Sequence, residues 1–183
     1  MQVNILTKNP GKMLAAKKTF EKYKIKTKFI EGEFPEIQAD SSLEIAAFTA
    51  KSAAKKLGIP VIREDHSLFI KALGIPGPYT SYIENKLSAQ KLIKILKKIP
   101  DKSGYFEIAT VYAPPNGKTK SWIFKVPITI STKPKGNLSK GWNKIIILKG
   151  EKRTLAEYPE KERLDIWNKN YEKIAKLLIT NNL

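Results

Sequence analysis

The chain has 183 residues, 42% of them hydrophobic, and carries a formal charge of +17. That length supports a sizeable core, and the lack of any apolar run of about 18 residues argues against a spanning helix. With no cysteine and His66 as the sole histidine, disulfides, thiolate chemistry and multi-histidine metal centres are excluded, which leaves hard, oxygen-bound ions such as magnesium.

In chain order, Met1-Gln2-Val3-Asn4-Ile5-Leu6 lacks the basic flank and cleavage site of a signal peptide and is expected to be a strand from Val3. Thr7-Lys8-Asn9-Pro10-Gly11-Lys12 supplies turn residues, and Met13, Ala16, Phe20 and Tyr23 then fall on one helical face. Strand, glycine-containing loop and helix is an order that points backbone N–H groups at an anion, although the loop is neither a Walker A nor a G-x-G-x-x-G sequence. Ile25 to Ile30 reads as a half-exposed strand. The acid-rich stretch Glu31 to Asp40 ends at Ser41 and Ser42, either of which can cap a helix over Leu43 to Leu57. Ile45, Phe48 and Leu57 form its apolar side, and Lys51 stands mid-helix.

The next stretch is the centre of the reading. Pro60 to Ile62 is apolar, Glu64 and Asp65 follow, a second apolar run begins at Leu68, and Gly74-Ile75-Pro76-Gly77-Pro78 breaks the pattern. The order predicted is strand, carboxylates, strand, rigid turn. Acids at a buried strand end are costly unless paired or facing a metal, and strand ends in α/β proteins border ligand crevices. Glu84 to Ile99 reads as one amphipathic helix stopped by Pro100. Gly104 to Ala113 and Thr119 to Val126 read as a hairpin across Pro114-Pro115-Asn116-Gly117, with Ile128-Thr129-Ile130 continuing it. Lys135 to Gly141 is a loop before Trp142 and the strand-like Ile145 to Leu148. Thr154-Leu155-Ala156-Glu157 has capping-box spacing, with helix predicted from Pro159 to about Leu178. Lysines are spread along the whole chain and arginine occurs at Arg63, Arg153 and Arg163, without the compact basic block that nucleic-acid binding favours. The chain is treated as one continuous α/β domain, 1–183.

Taken together these segments resemble the inosine triphosphate pyrophosphatase family, which hydrolyses non-standard purine nucleoside triphosphates to monophosphate and pyrophosphate. Thr7 to Lys12 is similar to its T-x-N-x-x-K loop, and Phe34-Pro35-Glu36-Ile37-Gln38 to its L-P-E-x-Q element. Lys51 falls where its second helix carries a lysine. Arg63-Glu64-Asp65-His66-Ser67-Leu68 with Pro76-Gly77-Pro78-Tyr79 resembles E-D-T/S-x-L…P-G-x-Y, and Thr154 to Glu157 resembles T-x-A-E-M. Departures cluster at the base end: Ser139-Lys140-Gly141-Trp142-Asn143-Lys144 stands for G-F-G-W/Y-D-P, and Trp167-Asn168-Lys169 for S-H-R.

The resemblance implies an α/β fold with an elongated, twisted mixed sheet flanked by helices, and two lobes around a central cleft. It implies Thr7, Asn9, Lys12 and Lys51 on the phosphates, His66 and Ser67 beside them, and Trp142, Asn143, Asn168 and Lys169 toward the base. Glu36, Glu64 and Asp65 would hold magnesium; Asp65 would orient the attacking water, with Lys12 and Lys51 as its catalytic partners. A cytoplasmic homodimer with no membrane association is implied as well. The altered base end leaves open a relative of broader specificity, or one that binds nucleotide or nucleic acid without turnover.

Overall fold

The computed structural model describes residues 1–137, 141–159, 162 and 165–180. Among the described residues, β1 (Gln2–Leu6), β2 (Lys26–Ile30), β3 (Val61–Ile70), β4 (Ile75–Gly77), β5 (Ser103–Ala113), β6 (Lys120–Ile130) and β7 (Ile146–Leu148) form a seven-stranded mixed sheet in the order β2-β1-β3-β5-β6-β7, with β4 paired to β3. The chain divides into two compact units, residues 1–65, 108–124 and 164–183 in the first and 66–107 and 125–163 in the second. Among the described residues no helix is long and apolar enough to cross a membrane.

In the first unit, β1 (Gln2–Leu6) runs parallel to β2 (Lys26–Ile30), pairing Gln2 with Lys26 through Leu6 with Ile30. Side chains alternate along β1. Val3 and Ile5 enter a core with Ala16 and Phe20 of α1 (Pro10–Lys22) and with Tyr171, Ile174 and Ala175 of α5 (Lys169–Ile179). Leu6 turns the other way, into a core with Ala46, Ala50, Ala53 and Ala54 of α2 (Ser42–Leu57). The period of two thus decides which helix each residue meets.

Ser41 caps α2, its Oγ accepting from the Leu43 N–H at 3.1 Å, and Gly58, at φ 66°, ends it in the left-handed conformation that glycine adopts without strain. The buried stripe is Ile45 with the alanines; Phe48 lies off it and Leu57 sits in the last turn, so both are exposed rather than part of the apolar side.

The two apolar runs around Glu64 and Asp65 are one strand, β3 (Val61–Ile70), not two. The strand runs on through the acids, past the pairs of Ile5 with Ile62 and Leu6 with Arg63, and its period of two sends Glu64 and Asp65 to opposite faces. β5 (Ser103–Ala113) and β6 (Lys120–Ile130) are the long strands of the predicted hairpin, and Ile128 to Ile130 does continue β6.

In the second unit, β4 (Ile75–Gly77) pairs antiparallel with β3, Leu68 opposite Gly77 and Ile70 opposite Ile75, so the rigid turn is partly a strand. Thr80 Oγ1 accepts from the Leu68 N–H at 2.8 Å and donates to the Gly77 carbonyl at 2.6 Å, fixing that corner. The single helix predicted over Glu84 to Ile99 is two, α3 (Thr80–Lys86) and α4 (Ala89–Leu96). Leu87 is extended between them and Ser88 caps α4 by accepting from the Lys91 N–H at 3.3 Å, satisfying one of the backbone donors that a new helix start leaves open. β7 (Ile146–Leu148) pairs antiparallel with β6. The capping box forms, Glu157 Oε2 accepting from the Thr154 N–H at 2.7 Å, but it opens a 3-10 turn, Leu155–Glu157. Of the helix predicted from Pro159, residues 160, 161, 163 and 164 lie outside the described residues, as do Ser139 and Lys140.

Candidate functional site

The loop after β1 builds the site from local hydrogen bonds. Thr7 Oγ1 accepts from the Asn9 N–H at 3.2 Å, and Asn9 Oδ1, the cap of α1, accepts from the Lys12 N–H at 3.1 Å. Pro10 follows the cap, where its missing N–H costs nothing. The start of α1 therefore faces outward with its dipole's positive end, and Lys12 adds a full charge.

Thr7, Asn9 and Lys12 line a pocket of about 550 Å³ together with Leu6, Lys8, Gly32, Glu33, Phe34, Glu36, Thr49 and Arg63. The volume suits a small charged ligand. Lys12 Nζ donates to the Glu64 carbonyl at 2.9 Å. Burial pulls its pKa below the usual lysine value, opposed by the negative charges of Glu64, Asp65 and Glu36 and assisted by the charge of Arg63. Those four groups are thus within electrostatic reach of one ammonium.

Arg63 was not among the expected site residues. Its Nη1 donates to the Leu6 carbonyl at 3.1 Å and its Nη2 pairs with Glu36. The signal for it lay in the strand period: in β3, Val61, Arg63 and Asp65 share the α2 side of the sheet, and Ile62 and Glu64 the α1 side. Glu64 is accordingly 2% exposed, and Thr110 Oγ1 donates to its Oε2 at 3.1 Å. Asn170 of α5 donates from Nδ2 to Thr110 Oγ1 at 3.0 Å, to the Ile108 carbonyl at 3.1 Å and to the Trp122 carbonyl at 3.3 Å. Burial, together with the Glu64 charge, holds the pKa of the neighbouring Tyr171 hydroxyl well above the usual tyrosine value.

The expected trio of metal ligands is therefore divided. Glu64 turns its carboxylate into the α1 side, whereas Glu36 lines the pocket and Asp65 lies on the same side of β3 as Arg63. Among the described residues no group of three or more His, Asp and Glu side chains gathers around a common point. Glu36 and Asp65 both act electrostatically on Lys12, and carboxylate oxygens are the donor type that a hard ion takes alongside water and phosphate oxygens.

Lys51 is exposed on α2, about 200° around the helix from the pocket-lining Thr49 at 100° per residue; it is not among the lining residues. Asn168 is buried and Lys169 holds its ammonium 5.7 Å from the Phe124 ring centre. In the second unit, His66 is half-buried, Ser67 fully buried and Asn143 half-buried. Trp142 is 1% exposed, its main-chain N–H on the Glu84 carboxylate and its Nε1 donating to the Leu87 carbonyl at 2.8 Å. The Trp142 ring is core, and both its N–H groups are spent inside the unit.

A model of the Ham1 family matches residues 3–176. The dITP/XTP pyrophosphatase of Methanopyrus kandleri is 35% identical over 91% of this chain and 89% of its own length, and that of Saccharolobus solfataricus 35% identical over 97% and 94%. The solved Staphylococcus aureus Ham1 protein superposes with a TM-score of 0.81 at 24% identity, covering 99% of this chain and 100% of that one, which speaks to the fold.

Proposed function

The chain belongs to the Ham1 family, and from that premise we propose that it hydrolyses non-standard purine nucleoside triphosphates (ITP, dITP and XTP) to the monophosphate and pyrophosphate. The names of its relatives support the substrate class. One observation of the chain's own carries the chemistry: Lys12, Glu36 and Arg63 share a pocket at the capped start of α1, and Lys12 feels the charge of Asp65.

In this reading the Thr7 to Lys12 loop and the helix start receive phosphate oxygens, with Lys12 as a point charge. Asp65 orients the attacking water; a carboxylate beside cations stays ionised, so positioning outweighs proton uptake. Glu36 and Asp65 would hold a magnesium ion, which when bound neutralises phosphate oxygens during attack at the α-phosphorus. Lys51, Asn9, His66 and Ser67 are retained as phosphate-side residues, and Asn143, Asn168 and Lys169 as base-side residues, on the resemblance of their motifs. A cytoplasmic homodimer belongs to the same proposal, and light scattering tests its second half.

The test is kcat/KM for pyrophosphate release from ITP, XTP, ATP and GTP, with and without magnesium. Preference for ITP and XTP by about tenfold or more, dependent on the metal, is the expected outcome. Equal turnover of all four removes the base preference, and turnover of none removes the hydrolase.

A further inference from the structure

Arg63 lines the pocket yet has no part in the expected phosphate and metal sets. Its side chain is 16% exposed, far less than the 55% of the Glu36 side chain that pairs with it. The two anchors of its guanidinium differ in kind. The Leu6 carbonyl ends β1 and is fixed by the sheet. Glu36 belongs to the irregular stretch between β2 and α2, where a carboxylate can swing away at little cost. The guanidinium's Nε is buried without a hydrogen-bond partner, so the group is held at its tip alone. Lys12 stands in the same pocket. Two cations sharing one pocket repel each other until an anion lies between them.

We propose that Arg63 is a polyphosphate-binding residue, held ready by Glu36, and that an incoming polyphosphate displaces the Glu36 carboxylate from the guanidinium. This deepens the proposed reading of the pocket and rests on it for the identity of the anion. A polyphosphate carries more charge than one carboxylate and offers several oxygens to the planar fork, so the exchange runs in its favour. The swap also frees Glu36. In the unliganded protein that carboxylate is engaged by Arg63, so a divalent cation meets an available Glu36 after the phosphates have arrived.

The experiment measures binding of inorganic tripolyphosphate by calorimetry without divalent metal, for the wild type, Arg63→Ala, Glu36→Gln and the double variant, with thermal melts alongside. Arg63→Ala is expected to weaken binding about tenfold or more. Glu36→Gln is expected to tighten it several-fold, and that gain is expected to vanish in the Arg63→Ala background. Wild-type affinity in Arg63→Ala overturns the proposal, as does a Glu36→Gln gain that persists undiminished in the double variant. Should Arg63→Ala fail to fold, Arg63→Lys decides: it keeps the charge but loses the fork, so weakening by about threefold or more is expected, and unchanged affinity overturns the assignment. ITP hydrolysis is assayed on the same preparations of the wild type and of Arg63→Ala. Arg63-dependent tripolyphosphate binding without ITP turnover sinks the hydrolase and leaves this inference standing; turnover with no dependence on Arg63 does the reverse.

Discussion

Lys12 holds its proton less tightly than a free lysine because burial outweighs the nearby carboxylates. The sign follows from linkage: the unfolded chain binds this proton more tightly, so protonated Lys12 costs stability, which is regained as pH rises through its folded pKa toward 10.5. Phosphate binding needs the charged form. The alkaline limb of kcat/KM, which reports the free enzyme, is therefore predicted to fall below the ordinary lysine range, and Lys12→Arg to move that limb upward, since a guanidinium does not titrate there. A limb unmoved by Lys12→Arg would assign it to another group. Asp65 invites a simpler test. Asp65→Asn keeps the shape and removes the charge proposed to orient water; turnover is predicted to drop about 100-fold or more, with the melting temperature unchanged, and wild-type turnover in that variant would end the assignment.

Two helices each carry a polar side chain whose loss is measurable. Asn9 caps α1, so Asn9→Ala is predicted to cost about 1 kcal/mol, read as a melting temperature lower by about 2–4 °C. Asn170 ties α5 to three acceptors on β5 and β6 from a fully buried position. Asn170→Ala leaves those acceptors short of a donor and is predicted to cost about 1–3 kcal/mol, seen as a lower midpoint in urea. Local signals of this kind were legible in the sequence where they obey strong chemistry: the serine before α2, the capping box at Thr154 and the strand-loop-helix at Thr7 to Lys12. The split between α3 and α4 was not, because Leu92, Ile95, Leu96 and Ile99 carry the apolar period while Ser88, a modest cap, interrupts it. Nor was the division of Glu64 from Asp65. Adjacent acids look like one ligand pair in a sequence; in a strand they face opposite ways, and the partner that makes Glu64 affordable in the interior, Thr110, is a long-range contact.

Across the whole molecule, the formal charge of +17 sets a background that the pocket must be distinguished from. Exposed lysines attract any polyanion, and that attraction is screened by salt. Binding of a 20-base-pair DNA duplex is predicted to weaken about tenfold or more between 50 and 200 mM salt, while kcat/KM for ITP declines less, because Arg63 and Lys12 are partly shielded from solvent. Parallel salt slopes for the two would place nucleotide binding on the general surface instead. The loop from Thr7 to Lys12 was readable, since its turn and cap chemistry are written in a short motif. The burial of Trp142 and Asn168 was not, since the packing that draws them inside is announced by no local pattern. The central claim is that this pocket cleaves a nucleoside triphosphate between its α- and β-phosphorus. Phosphorus NMR of ITP incubated with the protein and magnesium tests it most directly: inosine monophosphate and pyrophosphate are the predicted products, absent with Asp65→Asn, whereas orthophosphate with inosine diphosphate, or an unchanged triphosphate, would contradict it.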